Sequence, residues 1–190
     1  MISHCDFATA VKRIAWAYIF LYLNINLGTI NLLPEWIGYI YILSAIPLIE
    51  EQEESAKYLR TPLLILAGWA GISWLAANFG FSPDWKIIYI FPLALRLYMH
   101  FQLLTNIADI TAYFGLNEAA AKIKKLRSLN VIFDTALQLM SALLLENTYI
   151  LLAVLLATLA VVVVIAFTLF SLVIQLKELD EKQLSVQGEN

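Results

Sequence analysis

From Tyr149 to Ile174 the chain runs without one charged side chain. Crossing a bilayer as a helix takes about 20 apolar residues, because only a helix satisfies every backbone polar group within the segment itself. The rest of the chain has the same bias. Apolar residues make up 61% of the 190, charged residues only 14%, and mean hydropathy is +0.76. A soluble domain this small keeps much of its surface in water and cannot hide such an excess. The composition therefore excludes an ordinary soluble domain and a disordered chain. A net charge of −3 offers no basic field for nucleic acid. The expected surroundings are a lipid bilayer.

The expected fold is all-α, a polytopic bundle of about six transmembrane helices in a single domain. The spans are placed at about 11–28, 34–49, 62–79, 83–105, 129–145 and 149–174, with cytoplasmic linkers at 50–61 and 106–128 and a cytoplasmic tail at 175–190. Pro34 and Glu35 suit a helix start, since proline fits the first turn and an acid favours the positive end of the helix dipole. The basic residues support the count. With both termini cytoplasmic, Lys12, Arg13, Lys57, Arg60, Lys122, Lys124, Lys125, Arg127, Lys177 and Lys182 fall inside. Only Lys86 falls outside, and Arg96 lies within a span, which is the bias expected of cytoplasmic loops.

Pro34-Glu35-Trp36 recurs as Pro83-Asp84-Trp85, each at the outer start of a helix. Either a hairpin was duplicated, or proline, acid and an interfacial Trp independently suit that place. The lone Cys5 excludes an internal disulfide, and no basic segment precedes the first apolar run, which is expected to be retained. The stretch LNINLGTINLLPEWIGYIYIL, residues 23–43, resembles a signature near the start of uncharacterised small multi-pass membrane proteins of Gram-positive bacteria. Asn26, Gly28, Leu33, Pro34, Glu35, Trp36, Ile37, Gly38 and Tyr39 carry the likeness, with Trp36 where Phe is more usual. The resemblance implies a bacterial cell membrane and assigns no site.

Ionisable groups at membrane depth are costly and mark the bundle interior. Arg96 and His100 share one face of the fourth span, followed by Gln102, Asn106 and Asp109. In the fifth, Arg127, Asn130, Asp134, Gln138 and Ser141 recur at helical spacing. Counted from the middle of each span, His100 and Asp134 lie at the same depth, about 4.5 Å toward the cytoplasm. An ion pair of Asp134 with Arg96 or His100 follows. Arg96, His100, Asp134 and Gln138 are then either a solute or proton site in the inner half, with Arg96 as an anion clamp, or a clasp that fixes helix packing. Asn24, Asn26, Asn106, Asp109 and Asn130 are secondary polar candidates. Glu50, Glu51, Glu53 and Glu54 form an acidic run, with Glu53 and Lys57 spaced to extend a helix. Ala153, Ala157 and Ala160 make a face suited to close helix packing.

No HExxH, GxSxG or GxxxxGK motif is present, so no metal, cofactor or catalytic residue is expected, an intramembrane reaction on Asp109 and Asp134 being the one enzymatic option left. Two functions stay open. One is binding or transport of a small solute, by analogy of size and helix count with solute-binding subunits of vitamin uptake complexes. The other is a structural or accessory subunit that contacts a membrane-protein partner or a second copy. A cavity beside Arg96 favours the first, a packed interior the second.

Overall fold

The computed structural model describes residues 4–22, 26–27, 30–31, 34–79, 90–142 and 148–188, with the backbone alone at 26–27, 30–31, 90, 138, 141–142, 148 and 183–188. The fold is all-α, with six helices among the described residues: α1 (His4–Tyr22), α2 (Glu35–Glu50), α3 (Arg60–Asn78), α4 (Ile90–Tyr113), α5 (Asn117–Ala142) and α6 (Thr148–Gly188). Each packs on its neighbour in the chain, and α6 closes the ring on α1. His4 Nδ1 lies 3.8 Å from Asp180 Oδ1, so the start of α1 and the last turns of α6 share one end of the bundle.

Several boundaries differ from the sequence expectation. The first helix is described over His4–Tyr22, and residues 23–25 and 28 of the expected span lie outside the described residues. Asn26 and Leu27 instead pair antiparallel with Asn31 and Ile30. Asparagine side chains compete for backbone hydrogen bonds and favour turns over helix, which accounts for Asn26 lying outside a helix. The acidic linker is not a continued α-helix. Glu54–Leu59 forms a 3₁₀ helix, in which residues three apart eclipse; Lys57 therefore pairs with Glu54, while Glu53 accepts from the Ser55 N–H at 3.4 Å and caps the turn.

The expected linker 106–128 is almost wholly helix. α4 continues to Tyr113, and α5 begins at Asn117. Gly115 sits at φ +81°. The Leu116 N–H reaches the Thr111 carbonyl at 3.1 Å and the Gly115 N–H reaches Ala112 at 2.9 Å, the paired bonds of a Schellman cap. Nothing lies within 4 Å of a Cβ built on Gly115, so the cost of a side chain there is purely conformational. Gly115→Ala is expected to lower stability by about 1 to 2 kcal/mol, measured by denaturant unfolding in mixed micelles. An unchanged midpoint would show that the turn relaxes.

Among the described residues two helical stretches are long and apolar enough to cross a membrane: Glu54–Asn78, hydropathy 1.3, and Tyr149–Lys182, hydropathy 3.2. The expectation of six such helices is thus met by two on length and composition. α2 has only 16 residues, α1 carries Asp6, Lys12 and Arg13 within 19, and α4 and α5 carry the polar residues singled out above. The alanine face of α6 does not pack inside the ring, since Ala153 and Ala160 are exposed.

The core gathers around α1, whose Phe7, Val11, Ile14 and Tyr18 are fully buried. α2 crosses it closely at Gly38. A Cβ there would lie 2.7 Å from Leu21 Cγ and 3.0 Å from the Ala17 carbonyl oxygen.

Candidate functional site

Arg96 stands six residues into α4 and reaches across to two other helices. Its Nη1 lies 3.3 Å from Glu35 Oε1 at the start of α2, and its Nη2 lies 3.6 Å from Asp134 Oδ1 on α5. The guanidinium also lies over the Tyr22 ring, 4.9 Å from its centroid. The Tyr39 hydroxyl donates to the same Glu35 oxygen at 2.8 Å, one helical turn along α2. The two carboxyl groups differ sharply in exposure: the Glu35 side chain is 40% accessible, that of Asp134 1%. A planar, permanently charged fork suits such a bridge, since one guanidinium presents donors to two acceptors at once.

His100, one turn further along α4 and fully buried, does not join the carboxylates. Its Nδ1 lies 3.0 Å from the Tyr18 hydroxyl and its Nε2 3.4 Å from the Tyr22 hydroxyl. A hydroxyl either donates or accepts, so two of them match both nitrogens of an imidazole that has one N–H. Equal depth thus did not mean contact: the ring is turned toward α1, and Asp134 is left to Arg96. Arg96 is no free anion clamp either, because two acids and a ring already surround it.

Beside this cluster, some buried polar atoms have no hydrogen bond among the described residues. They are Arg96 Nε, both oxygens of Asp134, and both amide atoms of Asn130. Such atoms are costly to bury, so the spot favours an added donor or a water. The Gln138 side chain lies outside the described residues, as does Asn24, while Asn26 is described by its backbone pairing alone.

The other polar candidates separate from the cluster. Gln102 donates to Asn106 Oδ1 at 2.7 Å, and the Ser55 hydroxyl reaches the same oxygen at 3.1 Å, which ties the 3₁₀ helix to α4. Asp109 pairs with Lys124 Nζ at 2.8 Å across the α4–α5 hairpin, both about half exposed. Such a surface pair contributes little. Arg127 leaves the Asn130–Asp134 face for α4, donating to Thr105 Oγ1 at 2.8 Å and lying 4.2 Å from the Phe101 ring centroid.

A cavity of about 350 Å³ opens between α2, α3 and α4. Glu35 and Arg96 line it with Tyr39, Trp69, Trp74 and Ser73, while His100 and Asp134 do not. It sits at the end of the bundle where α2 begins, away from the His4–Asp180 contact. The inner-half cavity expected around all three residues is therefore displaced toward the opposite end, because Arg96 extends up its helix to Glu35 while His100 turns inward. Glu35, Tyr18, Tyr22, Trp69 and Trp74 were not among the sequence candidates. For Glu35 a signal was present: an acid opening one helix stands within the reach of an arginine six residues down a nearby helix, since long cationic side chains extend toward the interface. For the aromatics none was, since they read as ordinary core or interfacial residues.

No family model matches the chain, nor does any curated protein or solved structure.

Proposed function

We propose that the chain is a multi-pass protein of a bacterial cell membrane that binds or moves a small solute through the cavity beside Arg96. All six helices cross the bilayer in this reading, with both termini inside. Large apolar side chains point outward around the ring and support it. Leu64 on α3, Ile132 on α5 and Phe167 on α6 are 59%, 61% and 71% exposed. In water these would form a wide apolar surface, whereas in lipid they need no cover. Helices too polar to cross alone are accommodated when their charges face the bundle, as Arg96 and Asp134 do. The resemblance at residues 23–43 supports the bacterial setting.

The observation that carries the function is the cavity itself. At about 350 Å³ it falls within the range of small-molecule sites, and it joins apolar walls to a few converging polar groups.

The test is thermal unfolding of the detergent-purified protein against carboxylates, amines, amino acids and sugars. A compound at 100 times its dissociation constant should add about 2.7 kcal/mol of stability. At least one class is expected to raise the midpoint, and Ser73→Phe, which fills the cavity, is expected to abolish the rise. If no class shifts a well-folded protein, the solute reading fails.

A further inference from the structure

The charges of the cluster beside the cavity point to the kind of solute, an inference that rests on the solute-binding reading. We propose that the cavity takes a small organic cation, an ammonium group on an apolar body. Two carboxyl groups face one guanidinium, so with both ionised the cluster holds one negative charge more than positive. The inner acid, Asp134, is sealed from the cavity and held by Arg96. The outer acid, Glu35, lines the cavity, and its contacts with Tyr39 and Arg96 both fall on Oε1. Among the described residues no partner takes Oε2. A solute ammonium seated against that oxygen balances the cluster. An anion in the same place would meet Glu35 and compete with Asp134 for Arg96.

The walls agree with the charge. Tyr39, Trp69 and Trp74 line the space, and Trp36 packs edge-on against Trp74 with ring centroids 6.4 Å apart. Aromatic faces within about 6 Å attract a cation through the ring quadrupole, Trp most strongly, and more so out of water. A carboxylate beside several rings is the arrangement that recognises an ammonium while excluding the matching acid. Specificity here comes partly from repulsion: Glu35 turns away an anion that the rings alone would admit.

Three matched probes test this: 2-phenylethylamine, 3-phenylpropionate and 3-phenylpropanol, which share one ring and differ in charge. Each is added to the detergent-purified wild type, to Glu35→Gln and to Trp74→Leu, with thermal midpoint and equilibrium binding of the labelled amine as readouts. The amine alone is expected to raise the wild-type midpoint. Glu35→Gln should weaken amine binding by about tenfold or more, as expected for removing one partner of a charge pair. It should still fold, because Arg96 keeps Asp134 and Glu35 is partly exposed. Trp74→Leu keeps apolar bulk but removes a ring face, so the amine should bind more weakly while any response to the alcohol stays. If the acid or the alcohol shifts the wild type as well as the amine does, the cation assignment is overturned and the solute reading stands. If none of the three acts but a sugar, carboxylate or amino acid from the wider panel does, the same holds. If nothing acts at all, both readings fall.

Discussion

Arg96→Met is expected to destabilise the folded protein by about 3 to 5 kcal/mol, the usual cost of removing one partner from a buried charge pair. The partner left behind is Asp134, 1% exposed; among the described residues its oxygens have no hydrogen bond, and the Arg96 guanidinium lies 3.6 Å away. The two carboxylates do not respond alike. Glu35, freed by the same change, is 40% accessible and stays solvated. Asp134→Leu is expected to cost less than Arg96→Met, because Arg96 keeps Glu35 and the Tyr22 ring. The double change should then lie well short of the sum of the two singles, since the leucine removes the charge that Arg96→Met strands. Denaturant unfolding of the four proteins in mixed micelles measures this. Additive losses would show that the 3.6 Å approach carries no interaction.

The second large effect is expected at Gly38. Adding even a methyl group there brings it to 2.7 Å from Leu21 Cγ and 3.0 Å from the Ala17 backbone oxygen. Leu21 is 7% exposed and has little room to retreat, and a backbone carbonyl has less. Gly38→Val places two further methyl groups in the same gap, so the helices must separate. The expected loss is about 1 to 3 kcal/mol, typical of overpacking, and it is partly offset by the better helix propensity of valine over glycine. Leu21→Ala costs stability alone by emptying a buried site, yet should cost less in the Gly38→Val background, because two of the three close atoms belong to Leu21. A Gly38→Val protein with wild-type stability would mean that α1 and α2 are not held this closely.

Both expectations come from places where two helices meet, and that is also where the sequence was least legible. The helices themselves could be read along the chain. α3 and α2 begin and end within two residues of the stretches assigned from hydropathy and from Pro34. α4, α5 and α6 run well past theirs, because hydropathy marks where a helix turns polar and not where it stops. The stop between α4 and α5 is set instead by Gly115, whose positive φ closes one helix two residues before the next. Asn26, part of the first span when counted for length alone, pairs in a short strand instead.

The candidate site was legible in its residue types and not in its pairings. Arg96, His100, Asp134, Asn106 and Asn130 stood out because a polar group in an apolar stretch must face something. Helical spacing placed Asp134 and Asn130 on one face, and both are buried. Spacing also placed Arg127 there, but a flexible side chain at the polar end of a helix goes where a ring and a hydroxyl receive it.

The sequence by itself determined the all-α class, the rough positions of six helices and the few polar groups that had to be buried. Those properties depend on neighbours within a few residues, through hydropathy and the 3.6-residue period. Only the tertiary structure decided that Arg96 is shared between Glu35 and Asp134, that His100 belongs to Tyr18 and Tyr22, and that a cavity opens at the α2 end. Those outcomes turn on how far each helix rotates and how closely it approaches the next. Contacts such as Gly38 against Ala17 and Leu21 set both, between residues that lie far apart along the chain.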